Sequence, residues 1–316
     1  MSLPLFDDRP PFDRERLASS LRALADRRIF IGTSSWKYPG WMGQIYSREA
    51  YLARGVFSER RFEAECLREY SATFPVVCGD FSFYQFPSPA YWSRLFASAP
   101  RSLHFAFKAP EEITAKVFPG HPRYGPRAGL VNPSFLDAGR FREAFLQPLE
   151  PYRGQVATLI FEFGTFSKRS YSEVRPFVED LDRFLASLPS GFRYSVEIRN
   201  PEFLGPEYFH CLTSRGVAHV FNSWTRMPEL GAQIRRPDAF TTDFTVCRAL
   251  LRPGRSYEDA VAAFAPYEEI RDSYAEGRQA IRDLIRWAQE NKQAAFIYVN
   301  NRFEGSAPRT IEAVID

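Results

Sequence analysis

From Ile29 onward, apolar runs of strand length alternate with stretches whose apolar residues recur at helical spacing. That is the pattern of repeated β-α units around a mostly parallel sheet. Eight units are expected, with strands at Ile29 to Ser34, Val76 to Ser82, Leu103 to Lys108, Val156 to Glu162, Phe192 to Glu197, Val217 to Asn222, Asp243 to Arg248 and Ala295 to Asn300. Eight units over residues 29–316 match a closed α/β (β/α)8 TIM barrel, a fold of roughly 200 to more than 400 residues. A doubly wound sheet with a small helical domain is the competitor, but the units are evenly spaced and no composition shift marks a boundary. Residues 1–28 read as an N-terminal extension, a polar leader and then a short helix carrying Leu17, Leu21 and Leu24.

Among the intervening helices the clearest carries Val174, Phe177, Val178, Leu181, Phe184, Leu185 and Leu188, preceded by Ser170-x-x-Glu173, which fits a capping box. Ser88-Pro89 reads as an N-cap followed by proline in the first turn. The helix after the sixth strand is poorly defined. Two long connections, residues 110–134 and 249–266, follow strands and so belong to the face where strands end.

Strand side chains alternate in direction, so one parity of each strand faces the barrel lumen. In the fifth strand the apolar parity belongs under the helices, leaving Arg193, Ser195, Glu197 and Arg199 inside. By the same logic His104, Ala106 and Lys108 face inward in the third strand. Thr158, Ile160 and Glu162 share a parity in the fourth, as do Cys78, Asp80, Ser82 and Tyr84 in the second, and Arg248 ends the seventh. Asp80, Lys108, Glu162, Glu197, Arg199 and Arg248 therefore converge at strand C-termini, where barrel active sites are built. Trp36 in the aromatic loop after the first strand and Tyr84 are candidates to cover an organic group. Asn222 and Asn300, at the ends of the sixth and eighth strands, offer donors and acceptors or else stabilise turns.

Composition narrows the chemistry. The 316 residues are 45% hydrophobic and 25% charged, as in a globular chain, and the net charge of +3 is too balanced to coat a polyanion. The four cysteines, Cys66, Cys78, Cys211 and Cys247, are scattered in apolar segments with no Cys-x-x-Cys, the usage of a reduced cytoplasmic protein with core thiols. The first residues lack the cationic and apolar segments of a secretory leader, and no apolar run approaches the roughly 20 residues of a membrane span. His104, His121, His210 and His219 lack metal-site spacing, so no metal site is assigned, and His104 and His219 read as core residues. Neither a P-loop nor a Gly-x-Gly-x-x-Gly fingerprint is present, and the cofactor is left open.

Five ordered motifs carry a family resemblance. They are Ile31-Gly32-Thr33-Ser34-Ser35-Trp36 with Tyr38, Trp41, Gly43 and Tyr46; Phe81 to Ser88; Phe105-Ala106-Phe107-Lys108-Ala109-Pro110; Val196 to Pro201; and Tyr298 to Pro308. With these, the chain resembles the YecE-like family, also called domain of unknown function 72, over residues 29–316. The resemblance implies a TIM barrel and delivers no reaction. The histidines that zinc-dependent endonuclease IV chemistry would use are missing.

These readings lead to an uncharacterised barrel acting on an anionic, phosphorylated or nucleotide-like ligand at the strand C-terminal mouth. Lys108, Arg199 and Arg248 would hold the anion and Glu197 would serve as general acid or base. Glu162, Asp80, Trp36, Tyr84, Asn222 and Asn300 would complete the binding set. The alternative partner is a nucleic acid bound without catalysis. A purely structural alternative pairs Glu197 with Arg248 and Glu162 with Lys108 as a polar plug.

Overall fold

The computed structural model describes residues 12–316. Eight parallel strands close on themselves: β1 (Ile29–Ser34), β2 (Val76–Gly79), β3 (His104–Lys108), β4 (Val156–Phe163), β5 (Tyr194–Ile198), β6 (Ala218–Ser223), β7 (Phe244–Ala249) and β8 (Ala294–Val299). Each pairs with its chain neighbours, and β8 closes the ring onto β1 with Gly32 opposite Tyr298. The chain thus forms the α/β TIM barrel that the strand spacing predicts.

Alternation sorts two cores. Val76, Ala106, Ile160, Val220, Val246, Phe296 and Tyr298 fill the lumen, while Ile31, Phe105, Phe107, Phe161 and Val196 pack under the outer helices. The helix Val174–Ala186 buries Phe177, Leu181, Phe184 and Leu185, the stripe its sequence displays. The expected capping box is not made: Glu173 is the N-cap without a side-chain cap bond, and Ser170 bonds to Ser167 instead. Ser88 does cap the helix Pro89–Ala97, accepting from Tyr91 N. After β6 the helix is only Leu230–Ile234.

The helix Arg14–Ala25 buries Leu17 and Leu21 in the same core as β1 and the helix Glu59–Thr73, and the leader before it lies outside the described residues. At the β1–β2 seam the strands pair only at Thr33–Val77 and Ser34–Cys78. Upstream, the Tyr70 hydroxyl accepts from Thr33 N at 3.0 Å and donates to Val76 O at 2.9 Å. This close approach requires glycine at position 32, where a Cβ would lie 1.8 Å from Val76 O.

One strand stops early. β2 ends at Gly79, and Phe81–Tyr84 is a helical turn, although Asp80 to Tyr84 alternates like a strand. Ser82 turns inward and its hydroxyl donates to Lys108 O at 2.7 Å, tying this turn to β3. The same hydroxyl lies 3.4 Å from Gly79 O three residues back, a local bond that competes with strand alternation.

Candidate functional site

Lys108, Glu162, Glu197 and Arg248 are the inward residues at or near the last turns of β3, β4, β5 and β7, with Asp80 and Arg199 one residue past β2 and β5. Their strands bring them to the C-terminal mouth, as parity requires. Glu162 and Glu197 are direct register partners, so two carboxylates stand side by side on one face. Like charges so placed repel. Two guanidiniums relieve this: Arg248 Nη1 donates to Glu162 Oε2 at 2.6 Å and Glu197 Oε2 at 2.5 Å. Arg199 Nη2 lies 2.9 Å from Glu162 Oε1 and 3.1 Å from Glu197 Oε1.

Lys108 Nζ adds a third cation, 3.0 Å from Glu162 Oε2 and 3.6 Å from Asp80 Oδ1, and Arg248 Nη2 reaches Asp80 Oδ1 at 3.3 Å. Three cations thus meet three carboxylates in one network. The pairs Glu197–Arg248 and Glu162–Lys108 of the structural alternative are both formed. Glu197 is wholly buried, while Asp80 keeps 29% of its side chain exposed.

Charge and burial set the protonation states. Burial alone would raise the Glu162 carboxyl, but Arg199, Lys108 and Arg248 outweigh it and hold the group well below the usual carboxylate range. Burial lowers the Lys108 ammonium, yet Glu162 and Asp80 carry it above an ordinary lysine. Arg248 is likewise held charged by Glu197 and its neighbours against the pull of burial. Burial pushes the Cys78 thiol, in the lumen, and the Cys247 thiol, under the outer helices, up to about 12, which keeps them protonated.

Arg199 differs from the other two cations. Its Nε and Nη2 donate to Glu197 Oε1 at 3.2 and 3.1 Å, and its guanidinium lies 3.8 Å over the Trp224 ring. Nη1 has no protein partner among the described residues and is not sealed from solvent. Arg199 lines a cleft of about 520 Å³ between the β3 and β4 loops, together with Phe83, Phe118, Phe166, Glu111, Lys116 and Glu162. That volume is within the range of small-molecule sites.

The remaining expected residues fall elsewhere. Tyr84 is 61% exposed beside Arg123, because the helical turn carries it off the strand parity, and Phe83 instead covers Lys108 Nζ at 3.8 Å. Trp36 is buried against Phe81 and belongs to the core. Asn222 Nδ2 donates to Ile198 O and Val220 O, tying β5 to β6, with Oδ1 buried and unpartnered. Asn300 Oδ1 accepts from Arg302 N, a turn-stabilising cap. His219 faces the outer helices, with Nδ1 3.2 Å from the Tyr208 hydroxyl. Phe83, Lys116 and the stacking role of Trp224 escape the sequence reading, since Phe83 sits on a helical turn and the other two on loops, where strand alternation has no meaning.

A family profile described as protein of unknown function DUF72 matches residues 30–316. The protein YecE of Escherichia coli strain K12 is 26% identical over 189 residues, 60% of this chain. The aligned region spans only 55% of that relative's length. A DUF72 family protein of Thermotoga maritima superposes with a TM-score of 0.59 at 18% identity, covering 90% of this chain and 97% of that one. One from Enterococcus faecalis gives 0.57 at 15% identity, covering 91% and 95%. These structures share the fold.

Proposed function

This chain belongs to the DUF72 family, and from that premise we propose that its barrel mouth binds a small anionic molecule of the phosphorylated or nucleotide-like class. The observation that carries this reading is Arg199, locked by Glu197, Glu162 and Trp224 on the wall of the cleft, with Nη1 unpartnered among the described residues. A guanidinium held in one orientation by buried partners binds an oxyanion with little ordering cost. Lys116 adds a second cation to the cleft wall, and Phe83, Phe118 and Phe166 offer apolar faces to the organic part.

In this reading Glu197 acts through the arginines it holds, since both its oxygens accept from guanidiniums. Asp80 is the carboxylate of the network that keeps an open edge, 29% of its side chain being exposed, which makes it the proton-exchanging group of this reading. The charge balance of the network favours a small ligand over a polyanion, because Lys108 and Arg248 are already paired.

The test is calorimetric titration with adenosine 5′-monophosphate as probe. Arg199→Met is expected to weaken binding about tenfold or more, the value of a charge-assisted hydrogen bond. Trp224→Leu, which frees the guanidinium to wander, should weaken it several-fold. Equal affinity in wild type and Arg199→Met, with both folded, overturns the reading.

A further inference from the structure

Of the two carboxylates on the cleft wall, Glu162 belongs to the arginine network and Glu111 does not. Glu111 opens the helical turn Glu111–Thr114 directly after β3, and Ala109 N donating to Ile160 O at 2.9 Å ties the start of that turn to β4. The connection that follows folds back on itself: Phe118 N donates to Leu130 O and Asn132 N to Lys116 O, each at 3.0 Å. Asn132 Nδ2 fixes its base, donating to Glu112 O and Ala115 O at 2.7 Å. This ribbon brings Arg123 and Tyr124 back to Glu111, where Arg123 Nη2 and the Tyr124 hydroxyl both donate to Oε2.

One oxygen of this carboxylate is thus doubly held and the other is not used. Oε1 has no protein partner among the described residues and is not sealed from solvent, although only 13% of the Glu111 side chain is exposed. Burial raises the carboxyl above the ordinary carboxylate range, and Arg123 pulls it back. A carboxylate stripped of most of its water gains from any donor that reaches its open oxygen. Charge decides which donor fits. Arg123 already meets the negative charge of Glu111, and Arg199 and Lys116 on the same cleft repel a further cation. A neutral hydroxyl suits the site better than an ammonium. Thr114 follows three residues on, on the same side of the turn, and lines the same cleft as a second polar group.

We propose that Glu111 selects a phosphorylated sugar: with the phosphate on Arg199, a sugar hydroxyl of the ligand lies in the cleft and donates to Glu111 Oε1. The inference rests on the binding reading at Arg199 and adds the chemistry of the ligand's body. Arg123 and Tyr124 are positioning residues here, since they orient the carboxylate and leave one oxygen for the ligand.

The experiment compares adenosine 5′-monophosphate with 2′,3′-dideoxyadenosine 5′-monophosphate by calorimetry, two probes that share phosphate and base and differ only in the sugar hydroxyls. Wild type is expected to bind the hydroxylated probe about ten- to a hundredfold more tightly, the value of a hydrogen bond to a charged group. Glu111→Met should bring the two within about threefold of each other by weakening the hydroxylated probe alone. Glu111→Gln, whose amide oxygen accepts more weakly, should cut the ratio at least threefold and serves if the methionine variant does not fold. A carboxylate that merely pins the loop would, when replaced, weaken both probes alike and leave their ratio unchanged; that result in a folded variant overturns the proposal. So does equal affinity of wild type for the two probes, and in both cases the reading at Arg199 stands. Failure of both probes to bind wild type overturns the Arg199 reading and this one with it.

Discussion

Replacing Arg248 tests whether the mouth is one energetic unit. Its guanidinium is the contact common to all three carboxylates, at 2.6 Å to Glu162, 2.5 Å to Glu197 and 3.3 Å to Asp80, and only 2% of the side chain is exposed. Arg248→Met keeps most of the volume and removes the charge. It leaves Lys108 and Arg199 against three carboxylates, two of them register partners. Breaking a buried pair in this way costs about 3–5 kcal/mol, because an uncompensated charge is left out of water. Against a typical total of about 5–15 kcal/mol, the loss would be plain in a urea unfolding curve.

The double variant Arg248→Met, Glu197→Gln restores two cations against two carboxylates and should recover part of the loss. A coupling energy above about 1.5 kcal/mol is expected from the double-mutant cycle. A single-variant loss below about 1 kcal/mol, or additive effects of the two substitutions, would refute the reasoning that these groups form one network.

Two further outcomes follow from the scaffold. Burial lowers the His219 imidazole to about 3, with Arg236 adding to the effect. Its folded value lies below the unfolded one near 6.5, so the unfolded chain binds the proton first and stability falls as pH drops through the window between them. Between pH 7 and 4 this amounts to about 3 kcal/mol, and the stability of His219→Asn should fall less steeply over that interval in urea titrations. An identical pH slope in wild type and variant would contradict it. Gly32→Ala places a methyl on Val76 O and must part β1 from β2, with a cost of about 2–3 kcal/mol or more. A urea midpoint within error of wild type would show that the seam has room.

Much of the barrel is legible in the chain because alternation has a consequence at every strand. A single apolar parity in Phe192 to Arg199 is enough to put Glu197 inside and Tyr194, Val196 and Ile198 under the helices. The same rule brings Lys108, Glu162 and Arg248 to one place. It fails at Asp80 to Tyr84, where Ser82 bonds to β3 and turns the backbone helical, so Phe83 rather than Tyr84 meets Lys108. Trp36 illustrates the other limit: an aromatic residue in a loop after a strand can face a ligand or its own barrel, and here it packs on Phe81. Pairing is equally invisible to periodicity. That Arg199 is held by two carboxylates and one indole, with Nη1 unpartnered among the described residues, depends on three loops and strands meeting in space.

The most direct measurement is a crystal structure of the wild-type chain with adenosine 5′-monophosphate at saturating concentration. Phosphate density within about 3 Å of Arg199 Nη1, with the Glu162–Arg248–Glu197 bridges intact beneath it, is the predicted result. Nucleotide bound at a distant surface while the mouth stays free of it, in a protein that solution titration shows to be saturated, would contradict it.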